Sequence, residues 1–90
     1  MSKVKFTSAL KRFYPELSEI EVEADCIADL IKKVNDKFPK LTQYIVDENG
    51  SLRKHVNIFI GNNMIKDRNG LSDKIVNNDD VFIMQALSGG

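Results

Sequence analysis

Val81-Phe82-Ile83-Met84-Gln85-Ala86-Leu87-Ser88-Gly89-Gly90 closes the chain and decides how the rest of it is read. β-Branched and large apolar side chains dominate the first seven positions, and Asn77-Asn78-Asp79-Asp80 marks a turn just before them, so the stretch reads as a strand. Three small residues follow, and the last carries the terminal carboxylate. A core strand is thus expected to deliver a slim tail, residues 87–90, into solvent. Fully extended, that tail reaches at most roughly 13–14 Å. The terminal glycines lack the Cβ atoms that would obstruct a narrow channel, and they adopt backbone angles closed to other residues. Leu87, Ser88 and Gly89 are therefore expected to thread a partner's active site and present Gly90 there.

Working back from this strand, Leu71 to Val76 has room for one helical turn that brings Leu71 and Ile75 to the core, and Asp67-Arg68-Asn69-Gly70 is a turn. Met64-Ile65-Lys66 reads as a short strand, reached through Gly61-Asn62-Asn63 from a longer one at His55-Val56-Asn57-Ile58-Phe59-Ile60. Val56, Ile58 and Ile60 share one face of that longer strand. Leu41 and Ile45 mark a short helical turn before Asp47-Glu48-Asn49-Gly50.

Ile27, Leu30, Ile31, Val34 and Phe38 form the stripe of an amphipathic helix. Asp25 is the expected N-cap, and Pro39 ends the helix at Phe38. Ser18 to Glu23 alternates with Ile20 and Val22 inward. Residues 3–9 alternate with Val4 and Phe6 inward, so the amino-terminal segment is a hairpin. The expected fold is α+β: a mixed sheet of about four or five strands, one main helix on one face, and first and last strands paired in parallel. One domain over residues 1–90 is expected.

Composition narrows the function classes. Thirteen Lys and Arg balance thirteen Asp and Glu, so no net field draws the chain to nucleic acid or a membrane. The basic clusters Lys3, Lys5, Lys11, Arg12 and Lys32, Lys33, Lys37 read as solvated faces. Cys26 is the single cysteine, which excludes an internal disulfide framework and a Cys-rich metal site. No apolar run approaches the ~18–20 residues of a membrane span, and the cytoplasm is the expected compartment.

No catalytic constellation is present. His55, the lone histidine, sits among polar residues and reads as a surface group, and Cys26 as a small residue at a helix start, where a lowered thiol pKa is the alternative. Asp79-Asp80 reads as a turn, and no metal site is expected. The Gly90 carboxylate, ionised near neutrality, resists nucleophiles until activated, for instance as a mixed anhydride with AMP. An ATP-using partner must supply that step, because this chain has no nucleotide site. The chain is then a carrier and substrate, with no bound cofactor. A carrier needs a docking face: with Val81 and Ile83 inward, Phe82 and Met84 fall on the opposite face of the last strand, and Phe59 does likewise on its own. If the register is shifted by one residue, these three are core instead.

The ending Asn78-Asp79-Asp80-Val81-Phe82-Ile83-Met84-Gln85-Ala86-Leu87-Ser88-Gly89-Gly90 and the α+β order together resemble the ubiquitin-like sulfur carriers, which include the small subunit of molybdopterin synthase and the thiamin sulfur carrier. The resemblance implies the β-grasp fold. Asn78-Asp79-Asp80 stands where a Gly-Asp turn is usual, and Gln85-Ala86 where proline is common. Arg53-Lys54-His55-Val56-Asn57-Ile58-Phe59-Ile60 and the extra segment 39–54 are similar to the branch serving thiocarboxylate-dependent cysteine synthesis. The resemblance implies adenylation of Gly90 by an E1-like enzyme of the ubiquitin-activating type, sulfur from a donor protein, and a terminal thiocarboxylate (1-thioglycine). It further implies docking into a sulfur-accepting synthase: a pyridoxal-phosphate cysteine synthase, or the large subunit of a molybdopterin synthase. Conjugation of Gly90 to substrate lysines is the alternative activity, and a plain interaction module a third.

Overall fold

The computed structural model describes residues 2–6, 19–76 and 78–85. Strand β1 spans Ser2–Phe6, β2 Ile20–Val22, helix α1 Ile27–Lys37, a 3-10 turn Thr42–Tyr44, β3 Val56–Ile60, β4 Asn63–Met64 and β5 Asp80–Gln85. The sheet order is β2-β1-β5-β3-β4. β5 lies at the centre, parallel to β1 as expected for the first and last strands, and antiparallel to β3. This is the β-grasp arrangement.

Register explains the core. Phe6 and Ile58 flank Ile83, and Val4 and Ile60 flank Val81, so the inward-pointing residues form rows across the strands. Val4, Val56, Ile58, Val81 and Ile83 are fully buried. Against them α1 lays Ile27, Leu30, Ile31 and Val34, and Leu41, Ile45, Leu52, Leu71 and Ile75 close the sides. The helix stops where Pro39 demands: Phe38 leaves helical geometry at φ −136° and ψ 78°, its amide still donating to the Val34 carbonyl at 2.8 Å.

Three local expectations need correction. The N-cap of α1 is Cys26, not Asp25, and no side chain caps it. Its free amides are met by backbone from far along the chain: Ile27 N donates to the Asp73 carbonyl at 3.0 Å and Ala28 N to the Leu71 carbonyl at 2.8 Å. The same contacts explain why residues 71–76 form no helical turn. Their carbonyls serve α1, Lys74 bridges Cys26, and Leu71 takes the left-handed region at φ 54° while staying buried. Leu71 and Ile75 do reach the core, as expected. Finally, the short strand is Asn63–Met64 rather than Met64 to Lys66. Ile60 pairs with Asn63, leaving a two-residue turn with Gly61 at φ 62°, where a primed turn favours glycine. Residues 7–9 and 18, expected in strands, lie outside the described residues.

The loop that supports α1 is organised by two aspartates. Asp73 accepts from the amides of Lys66 and Asp67. Asp67 accepts from the Ser72 hydroxyl at 2.6 Å and from the amides of Gly70, Ser72 and Asn69. These donors, the Ser72 hydroxyl foremost, lower the Asp67 carboxyl from 3.8 to about 2. A Cβ on Gly70 would lie 2.9 Å from Asp67 Oδ2, so this tight cradle accommodates glycine.

Two outcomes follow from this packing. Ile83→Ala opens a cavity between Phe6, Ile58 and α1 and should cost about 2–5 kcal/mol in denaturant unfolding. Because the Asp67 pKa is depressed on folding, its stabilisation is present above the ordinary value of 3.8 and is lost as pH falls through about 2. Asp67→Ala should therefore lower the melting temperature by a constant amount well above pH 4, and the gap should narrow as pH falls from about 4 through about 2. A gap undiminished at pH 2 would contradict the assignment.

Candidate functional site

The face of the sheet turned away from α1 carries the side chains that the core does not use. Alternation along β5 puts Phe82 and Met84 there, and antiparallel register sets Phe59 directly opposite Phe82 and Asn57 opposite Met84. Phe59, Phe82 and Met84 therefore share one surface, in the register expected from the sequence. Pairing extends the row further than sequence reading found: Lys5 lies beside Phe82 on one flank, and Met64 beside Phe59 on the other. Lys5-Phe82-Phe59-Met64 crosses four strands. Phe59 and Phe82 are half-buried, while Met84 and Met64 expose 44% and 49% of their surface. The Met64 contribution follows from a two-residue turn at Gly61-Asn62, and a turn counted as three residues hides it.

Polar groups edge this strip. Lys5 Nζ stands 5.2 Å from the Phe82 ring centroid and 3.9 Å from Asp80, a cation over an aromatic face that also answers a carboxylate. Lys3 pairs with Glu19 at 3.6 Å. On the other flank Arg68 Nη1 donates to Asn57 Oδ1 at 2.9 Å. The exposed ion pairs of Lys3 and Lys5 contribute little stability, and they border the apolar strip with charge.

A second feature lies at the carboxyl end of β5, where Val56 pairs with Gln85. Gln43, Tyr44, Arg53 and Gln85 line a cavity of about 440 Å³. Arg53 Nε donates to the Gln43 carbonyl at 2.7 Å, its backbone amide to the Ile45 carbonyl at 3.0 Å, and Arg68 Nη2 to the Arg53 carbonyl at 2.8 Å. Sequence reading used Arg53 and Lys54 only for a family resemblance and did not foresee this cavity, because Gln43 and Arg53 meet through tertiary structure.

The other candidates fall as follows. Leu87, Ser88, Gly89 and Gly90 lie outside the described residues. His55 is exposed in the turn before β3, and Cys26 is a free, half-buried residue at the start of α1. Among the described residues no three His, Cys, Asp or Glu side chains gather as metal ligands, and no helix is long and apolar enough to cross a membrane.

Comparison with family models finds no match, and comparison with curated proteins finds none. Solved structures do match. A chain of the Amycolatopsis orientalis BexX/CysO complex superposes with a TM-score of 0.86 at 18% identity, covering 100% of both chains. Mycobacterium tuberculosis CysO gives 0.83 at 19% identity, covering 97% of this chain and 100% of that one. Small archaeal modifier protein 1 of Methanosarcina acetivorans gives 0.80 at 25% identity, covering 99% and 95%. The likeness over essentially the whole chain establishes the fold.

The exposed strip makes a separable prediction. Met84→Ser should change unfolding free energy by no more than about 0.5 kcal/mol, since Met84 lies outside the core. A loss comparable to that from a buried neighbour would place Met84 in the core after all.

Proposed function

We propose that this protein is a ubiquitin-like sulfur carrier whose reactive group is the Gly90 carboxylate. The observation that carries the reading is the continuity of β5. One strand anchors the core with Val81 and Ile83, offers Phe82 and Met84 outward, and runs on in sequence into Leu87-Ser88-Gly89-Gly90. A rigid strand and an apolar face beside it suit a handle that must be held in register while its tip enters another protein's active site.

The chemistry belongs to the partners. An E1-like enzyme joins the Gly90 carboxylate to AMP, and ATP loses pyrophosphate. Sulfur at the oxidation level of sulfide, delivered by a donor protein, then attacks the glycyl carbonyl. A C–S bond forms as the C–O bond to AMP breaks, and a thiocarboxylate remains. A synthase docks the same strip and takes the sulfur. The acceptor expected from the resemblance is a precursor of cysteine, with molybdopterin or thiamin synthesis as other destinations. Similarity to CysO structures over the whole chain supports carriage. Similarity to a small archaeal modifier protein at 25% identity favours a second reading, conjugation of Gly90 to lysine amines.

Intact-mass spectrometry of the protein isolated from its native host separates the two. Carriage predicts a species in which one sulfur replaces one oxygen, assigned to Gly90 by fragmentation and lost on Gly90 deletion. Lysine conjugates of higher mass without that species would favour modification. Neither product, in sulfur-starved or sulfur-replete cells, would overturn both readings. Deletion of Gly90 should leave the melting temperature unchanged.

A further inference from the structure

We infer that Arg53, flanked by Lys54 and His55, is a carboxylate-reading site at the root of the tail, which docks an acidic side chain at the mouth of the activating enzyme's channel. The inference rests on the carrier reading above and adds to it a specific contact outside the apolar strip.

Position comes first. Val56 pairs with Gln85, the last described residue of β5, so residues 53–55 stand beside the end of the strand that precedes the tail in sequence. Arg53, Lys54 and His55 are all exposed. The loop that carries them is held by backbone bonds: Val56 N donates to the Arg53 carbonyl at 3.0 Å, and Leu52 N to the Arg68 carbonyl at 2.7 Å. Arg68 clasps the same loop, with Nη2 donating to the carbonyls of Arg53 and Val56 at 2.8 and 2.9 Å.

The Arg53 guanidinium is itself anchored on one side. Nε donates to the Gln43 carbonyl, while the two terminal nitrogens have no partner among the described residues. They belong to a side chain lining the cavity shared with Gln43, Tyr44 and Gln85. An arginine held by Nε keeps a planar pair of donors, the geometry that matches a carboxylate in a bidentate pair. No carboxylate of the described residues answers it. The ion pairs of Lys3, Lys5 and Lys33 all lie elsewhere, and Lys54 and Arg68 also pair with no carboxylate among the described residues. A chain with no net charge therefore presents a local cationic cluster at the end that leads to its reactive group.

Length decides what this cluster meets. The five residues 86–90, fully extended, span at most roughly 17–18 Å. When Gly90 sits at the nucleotide with the tail extended, Arg53 is too far back to touch phosphate. It faces the protein rim through which the tail has passed. An acidic rim satisfies its free donors, and opposite charge there steers the encounter.

ATP–pyrophosphate exchange with the host's adenylating enzyme tests this, using the full-length chain. Wild-type protein should support exchange; failure to do so would overturn the carrier reading and this inference with it. Arg53→Glu should raise KM about tenfold or more with kcat little changed. Arg53→Lys should recover part of the loss, and Lys54→Glu, an exposed change that leaves the loop's bonds intact, should raise KM severalfold. Raising salt should narrow the difference between wild type and Arg53→Glu. Exchange by wild type with an unchanged KM in both charge reversals would overturn the inference alone. So would an increased KM that is insensitive to salt and accompanied by a lowered melting temperature, since that marks a structural role.

Discussion

The parallel ladder between β1 and β5 is the constraint on which the fold depends. It joins Lys3 to Asp80 and Phe6 to Ile83, from opposite ends of the chain, with the rest of the molecule lying between them as a crossover. Because β5 is also bonded to β3, both of its edges are occupied and it cannot slide against one neighbour without disrupting the other. A slip of one residue would exchange fully buried Val81 and Ile83 for Phe82 and Met84. The register that builds the core therefore also fixes which side chains appear on the outer surface.

The start of α1 shows a second dependence on distant pairing. A helix of eleven residues begins at a cysteine that offers no side-chain cap. Its first amides bond carbonyls at positions 71 and 73, and the Ile75 amide returns a bond to the Asp25 carbonyl at 2.9 Å. Asp67 and Asp73 shape that loop through their own accepted bonds. The helix is thus tied to the segment leading into β5, and packing of its apolar stripe compensates for the absent cap.

Alternation and helical spacing made most of this legible. Val4 and Phe6, the stripe from Ile27 to Val34, and Ile58, Val81 and Ile83 all announce their faces by period alone. Residues 71–76 did not, because their conformation is set by what α1 requires of them and not by local preference. The Asp25 cap failed for the same reason: an aspartate beside a helix start is a local signal, and long-range carbonyls outcompeted it. At the surface, Phe59, Phe82 and Met84 followed from parity, whereas Met64 needed the turn length and the cavity beside Gln85 needed tertiary structure. The tail residues were legible only as chemistry, as a slender end with an ionised carboxylate.

The make-up of the outer strip bears on how a carrier works. A sulfur carrier meets an activating enzyme, a donor and an acceptor in turn, and each must release it. A surface optimised for one partner would trap it there. Phe59 and Phe82 supply rigid, half-buried area, while Met64 and Met84 at the periphery are unbranched thioethers that repack against differing surfaces. Lys5 over the Phe82 ring keeps one edge wet and charged. The proposed carrier reading asks such a strip for moderate affinity shared among partners, which leaves discrimination to charges near the tail and to the fit of the tail itself. That division separates holding from choosing. Under the proposed function, the sheet face is the common grip and the end of β5, with Arg53 beside it, is where one partner is told from another.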